Sequence, residues 1–348
     1  MLDFTNCNLN NVIAHQVGNK TNDEDLLLSN NILDASEYRL KELLIKYFLL
    51  PFSNAEYFSF SFSNNDFELN PMFQFASKIF SNQKNFQEQS VNIAKLLFDT
   101  SLHPQIKSGD LFITTFSNIS FEDTAVNAIG IFKSESRQPF LKLDASKKDF
   151  SLFYDEGINT DKLDKGCLIL NVSKEDGYKI CVIDKSNKTS EAQFWKDTFL
   201  NVAPCNDEFN QTKQFLSITK NFITKQFPTD FETTKADQID LLNRSVNYFK
   251  NHETFDKQEF EKEVFHHDNI INSFNKFDTT YRQENEVDIA DDFSISSQAV
   301  KKQERSFKSV LKLDKNFHVY IHGNKNLIEQ GIEKDGRKYY KLYYDNEA

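Results

Sequence analysis

The chain has 348 residues, 39% hydrophobic and 27% charged, with a formal net charge of −11. That length suits two domains or three small ones, the 35 Phe supply large buried areas, and only 9 Gly and 6 Pro rule out a low-complexity chain. The acidity excludes a surface coated uniformly for nucleic acid, so any phosphate contact must come from a local patch or through a partner.

In chain order, Val12 to Asn19 predicts a first strand ending in a turn. Ser36 is placed to cap a helix with Leu40, Leu43, Leu44, Tyr47 and Phe48 at helical spacing, ended by Pro51. The perfect alternation of Phe58-Ser59-Phe60-Ser61-Phe62 predicts an edge strand or an extended cover. Asn70 followed by Pro71 opens a helix running to about Phe80. A second helix, from about Gln87 to Leu102, puts Val91, Ala94, Leu97 and Phe98 on one face, and Pro104 closes it.

The densest strand signal follows, in runs starting at Leu111, Val126, Cys167 and Tyr178, which predict an antiparallel meander. Asp176-Gly177 and Glu156-Gly157 are its turn signals. Ser190 is set to open a short helix through Leu200. From Gln211 the pattern is helical: Phe215, Ile218, Phe222, Ile223 and Phe227 up to a break at Pro228, then 235–251 with Ile239, Leu242, Val246 and Phe249, then one or two helices carrying Phe260, Val264, Ile270, Ile271, Phe274 and Phe277. Residues 283–292 are acidic and predict a linker or arm. Strands are expected at 309–313 and 317–322, and a hairpin turns at Asp335-Gly336 before Tyr339, Tyr340, Tyr343 and Tyr344.

The expected fold is therefore α+β. An N-terminal mixed α/β domain with a mainly antiparallel sheet spans 1–205, a helical region 206–283, an acidic linker 284–300 and a basic, β-rich C-terminal unit 301–348. The four cysteines, Cys7, Cys167, Cys181 and Cys205, form no CxxC pair and predict buried, reduced thiols. The N-terminus lacks the basic and apolar regions of a signal peptide, and the longest apolar run, around 43–52, is too short to span a membrane.

Few residues suggest catalysis. His266 and His267, adjacent on a helix, point about 100° apart and would not share a metal easily. His318 and His322 share a strand face but lie about 13 Å apart, and His15 in an apolar strand predicts a hydrogen-bonded core residue. No P-loop or GxSxG is present. Asp110, Glu122, Asp123, Asp155 and Glu156 are the acids that a metal-dependent nuclease or phosphoesterase would draw on.

The strongest functional feature is a basic corner. Between residues 301 and 326 lie Lys301, Lys302, Arg305, Lys308, Lys312, Lys315 and Lys325 against Glu304 and Asp314, a local charge of +5 in a chain of −11. Lys301, Arg305, Lys308 and Lys312 would line one helical face if the helix reached that far. Phe307, Phe317 and Tyr320 interleave with them, a pattern suited to phosphate contact plus stacking, or to a solvated face whose lysine stems cover apolar surface. The acidic run just before it is placed to lie over that face as a phosphate mimic, or to act as a solubilising linker.

Ile13 to Lys20, Leu163 to Asn171, Glu191 to Leu200 and Phe317 to Asn324 together resemble, in order along the chain, the bacterial nucleoid-associated protein family of the NdpA/YejK type, closest to its Bacteroidetes-like branch. The resemblance implies a cytoplasmic, nucleoid-located, non-enzymatic protein. It also implies binding to double-stranded DNA and contact with a type II topoisomerase, DNA gyrase or topoisomerase IV. It carries no catalytic residues, cofactor or metal and fixes no DNA contact, so the DNA-binding candidates rest on charge. A metal-dependent hydrolase and a pure protein adaptor remain the alternatives.

Overall fold

The computed structural model describes residues 2–53, 56–63, 66–146, 149–185, 194–285, 287–307, 310–320 and 327–346. They form two compact units, 1–205 and 206–348. The fold is α+β.

The first unit is built on β1 (Leu2–Asp3), β2 (Asn8–Val17), β3 (Leu26–Leu27), β4 (Tyr57–Phe60), β5 (Gly109–Phe121), β6 (Thr124–Ser134), β7 (Arg137–Ser146), β8 (Asp149–Ile158), β9 (Lys165–Leu170), β10 (Lys179–Asp184) and β11 (Val202–Pro204). Nine of these make one antiparallel sheet ordered β11-β4-β10-β9-β6-β5-β2-β3, with β1 paired to β5. The expected meander is its centre. Side-chain alternation there loads both faces. Ile113, Ile129, Ile131 and Ile169 face a core shared with α2 (Pro71–Ser81) and α3 (Phe86–Thr100). Phe116, Ala128, Phe132, Leu168 and Leu170 face a second core under Phe48, Leu49 and Phe52, at the end of α1 (Tyr38–Leu49).

Several expectations change in three dimensions. Phe58 and Phe60 lie on β4, which pairs with β10 on one side and β11 on the other, so the alternating stretch is an interior strand. Glu156-Gly157 is not a turn but lies within β8. Asp176-Gly177 does turn: Gly177 sits at φ +85°, and a Cβ there would meet the Phe60 carbonyl at 2.8 Å. Ser36 does not cap α1; Glu37 holds that position without a side-chain bond, and Leu40 and Leu43 remain exposed. Cys167 and Cys181 sit on neighbouring strands but face opposite cores. All four cysteines are buried and none forms a disulfide. His15 is a core residue: its Nδ1 accepts from the Ser29 N–H at 3.1 Å, which leaves Nε2 to donate to Ser90 Oγ at 3.2 Å, and burial lowers its pKa.

Asn70 caps α2 as expected and does more. Its Oδ1 accepts from the Met72 N–H at 2.8 Å, while Nδ2 donates to the carbonyls of Ser61, Leu200 and Asn201 at 2.9, 3.0 and 3.0 Å. Asn70→Ala is expected to lose the cap and strand buried carbonyls, a cost of about 2–3 kcal/mol. Urea unfolding of the full chain measures it, and a loss under about 1 kcal/mol would show that the three carbonyls find other donors.

The second unit is helical: α4 (Glu208–Asn221), α5 (Phe227–Asp230), α6 (Lys235–Asn251), α7 (Lys257–Phe265), α8 (Asp268–Glu284) and α9 (Ser297–Glu304), with the pairs β12 (Thr254–Asp256) and β13 (Asp292–Ser294), β14 (Val310–Leu313) and β15 (Phe317–Tyr320), β16 (Ile328–Ile332) and β17 (Lys338–Leu342). Its core is a cluster of Phe rings; Phe215 lies within 4.3–6.1 Å of Phe249, Phe255, Phe260 and Phe274. Pro228 does not break the helix as expected. A π-helical turn at Phe222–Gln226 shifts the bonding so that the Phe227 N–H reaches the Phe222 carbonyl, and Pro228 enters the first turn of α5, where its missing N–H costs nothing.

The acidic stretch is likewise not a free linker. Ile289 is buried, Phe293 stacks on Phe255 at 4.6 Å, and β13 pairs with β12. Anchored this way, it belongs to the helical unit's own core. The hairpin around Asp335-Gly336 forms as expected, with Gly336 at φ +86°.

Candidate nucleic-acid interface

The basic corner begins on α9. Ser296 starts this helix: its Oγ accepts from the Ala299 N–H at 3.4 Å, and its own N–H donates to Thr212 Oγ1 at 3.0 Å. Ala299 and Val300 are buried and set the helix against the core, which turns Lys301 into solvent. Lys302 is exposed too, but its Nζ lies 5.0 Å from the centre of the Phe209 ring, a cation–π contact. Glu304, one of only two acids in the corner, is held by Lys250 Nζ at 2.6 Å. That pair blunts a charge that would otherwise repel phosphate. Sequence spacing could not reveal it, because Lys250 lies 54 residues away.

The single helical face expected for Lys301, Arg305, Lys308 and Lys312 does not form. The α-helix stops at Glu304, Arg305–Phe307 is a 3-10 turn, and β14 begins at Val310. The physical reason is burial: Phe307 inserts into the Phe-rich core and Leu311 packs with Ile239 on α6, so the chain must extend between them. Phe307 is therefore unavailable for stacking on a base. Lys312 stands in register opposite His318 on the β14–β15 pair. Lys315 is exposed in the intervening turn, where Asp314 takes φ +52°. Phe317 and Tyr320 remain open, 64% and 58% exposed. Lys308, Lys325 and His322 lie outside the described residues.

The acids named for hydrolase chemistry are not brought together. Asp110 and Glu122 flank the length of β5, about 40 Å apart at strand rise, and Asp110 pairs with Arg137 at 2.9 Å. Asp155 and Glu156 lie on β8. His266 closes α7 at φ +60° and His267 precedes α8; both are exposed. Among the described residues the set able to hold a cation is a different one, His252, Glu259 and Glu263, with ligand atoms within 4.8 Å of one another. His252 stacks on Tyr248 at 4.1 Å, and the Tyr248 hydroxyl donates to Glu259 at 3.0 Å. The i, i+4 spacing of Glu259 and Glu263 was the available sequence signal. Among the described residues no helix is long and apolar enough to cross a membrane.

These features define an α+β protein of two compact units, the second of which gathers basic side chains within an acidic chain. Residues 13–337 match the family model described as nucleoid-associated protein YejK, and the chain belongs to this family of nucleoid-associated proteins. The match enters in β2 and ends in the last hairpin, so it runs through both units. No curated protein matches the chain.

Proposed function

We propose that this chain is a non-enzymatic protein of the bacterial nucleoid, working in the cytoplasm, that binds double-stranded DNA through the corner spanning Lys301, Lys302, Arg305, Lys308, Lys312, Lys315 and Lys325. Family membership supports the nucleoid role. The observation that carries the DNA reading is the exposure of Lys301 and Lys315 and of the Phe317 and Tyr320 rings, all within one stretch of +5. Cations meet phosphate there and rings supply contact area.

Fluorescence anisotropy of a labelled duplex, from about 20 to 200 mM salt, is expected to give saturable binding with a log–log slope near −4 to −5 for about five phosphate contacts. Reversing Lys301, Arg305 and Lys308 together should flatten that slope by about 3. Lys302→Ala should matter less than Lys301→Ala, since Lys302 is committed to Phe209. An unchanged slope in the triple variant would move the contact elsewhere.

The net charge of −11 favours a second reading, an adaptor that reaches DNA through a type II topoisomerase, DNA gyrase or topoisomerase IV. In that case purified protein ignores the duplex at low salt yet shifts topoisomerase activity. Incubating plasmid with the protein and Mg²⁺ or Mn²⁺ separates both readings from a nuclease, for which nicking would appear.

A further inference from the structure

The hairpin β7–β8 is a two-stranded sheet outside the main one. Register pairs Leu141 with Tyr154, Leu143 with Leu152 and Ala145 with Phe150. Opposed residues share a face, so these six form a continuous apolar stretch of one face, bordered toward the base of the hairpin by Pro139 and Glu156. The other face is mixed: Phe140 and Phe153 alternate with Lys142 and Asp144, which pair at 3.8 Å. On the apolar face Leu143 is 62% exposed, Leu152 64%, Tyr154 65%, and Leu141 and Phe150 each 71%. No described part of the chain covers them. An isolated two-stranded hairpin is marginal in water, and a contiguous apolar face of this size marks an interaction site.

We infer that this face is a dimerisation surface, covered by the same face of a second copy of this chain. Three features favour a copy over other occupants. Residues 137–158 contain four basic and four acidic side chains, so two arms do not repel, and nothing in that balance draws DNA or an anionic bilayer. Large rings stand at the two ends of the face, Tyr154 and Phe150, with leucines and the small Ala145 between and beside them, a profile that two-fold packing can interdigitate. The exposed parts of five large side chains offer on the order of 500–600 Å² per copy, which doubled reaches the lower edge of a specific interface. Pro139 on β7 removes a donor and disfavours pairing along that strand's outer edge.

Sedimentation equilibrium of the full chain at micromolar concentration is expected to give about twice 40.6 kDa. Leu143→Asp combined with Leu152→Asp should weaken dimerisation about 100-fold or more and give the monomer mass, with an unchanged circular dichroism spectrum because both side chains are exposed. Leu143→Cys supplies a test that needs no disruption. The native thiols are buried, so a short bis-maleimide should join two chains through the new one across faces about 10 Å apart. A wild-type monomer overturns the inference, and co-flotation of that monomer with phosphatidylcholine vesicles would assign the face to lipid. A dimer insensitive to the double substitution, or a Leu143→Cys chain that does not cross-link, overturns it equally.

Discussion

Replacing Asp278 with alanine is expected to cost the C-terminal unit about 3–5 kcal/mol, the range for removing one partner of a buried ion pair. The Asp278 side chain is 1% exposed and accepts from Lys257 Nζ and Arg282 Nε, both at 2.7 Å. Arg282 also donates to the Ile289 carbonyl at 2.6 Å. One carboxylate thus ties the start of α7 to the middle of α8 and to the acidic stretch. Without it, two largely buried cations face the interior unpaired. Glu261, whose own pKa burial raises, is near enough to Lys257 to take part of that charge and sets the lower end of the range. Thermal unfolding should fall by roughly 10 °C. Asp278→Asn, which keeps acceptor geometry but not charge, should lose less. A shift of only 1 or 2 °C for the alanine variant would mean that the cations rotate out to water at little cost.

Glu135→Gln is expected to destabilise the sheet unit by a comparable amount. Glu135 Oε1 lies 3.1 Å from Lys133 Nζ and 3.4 Å from Lys165 Nζ, and the three side chains are 6%, 1% and 3% exposed. Lys133 also donates to the Lys107 carbonyl, and Lys165 reaches Asp184 at 3.3 Å. Neutralising Glu135 leaves two buried ammonium groups sharing one acid, a penalty of about 3–5 kcal/mol. The pH dependence gives a second check. Burial lowers the Lys133 pKa even with Glu135 beside it. Below its ordinary value, about 10.4, the unfolded chain therefore binds more protons at this site than the folded chain. Stability from this site rises with pH across that window. Removing the carboxylate depresses the folded pKa further, so the gap between variant and wild type should narrow as pH rises toward that ordinary value. Urea midpoints across that range measure it, and a constant gap would mean that Lys133 is not the charge being stranded.

Local chemistry made much of the fold legible. The helix at Lys235–Asn251 shows in its 3/4/3 apolar spacing and is closed at its start by a Thr234–Asp237 capping box. The meander shows in its β-branched runs, and Asn70-Pro71 marks a helix start that the structure keeps. What local pattern missed is non-local. The β7–β8 arm drew only a misplaced turn, because no described part of the chain covers the exposed Leu141, Leu143, Phe150, Leu152 and Tyr154, and Gly157 resembles punctuation. The π-helical passage to Pro228 depends on Phe222 being held among Phe265, Phe274 and Phe277. For the interface, charge density located the basic corner, but periodicity misjudged its shape. Lys301 to Lys312 kept helical spacing on paper, whereas the burial of Phe307 and Leu311 converted the second half to strand.

The sequence by itself determined the elements whose causes are short-ranged: apolar period, caps, turn glycines, the excess of positive charge after residue 300 and the family. Tertiary structure alone decided which strand is interior, which acid each buried lysine meets, and that Glu304 is answered by Lys250. It also decided that the acidic stretch is anchored and that one apolar face is left open. The physical reason is that burial and charge pairing are properties of neighbours in space. A carboxylate 21 residues from its lysine, as Asp278 is from Lys257, leaves no mark in any local window of the chain.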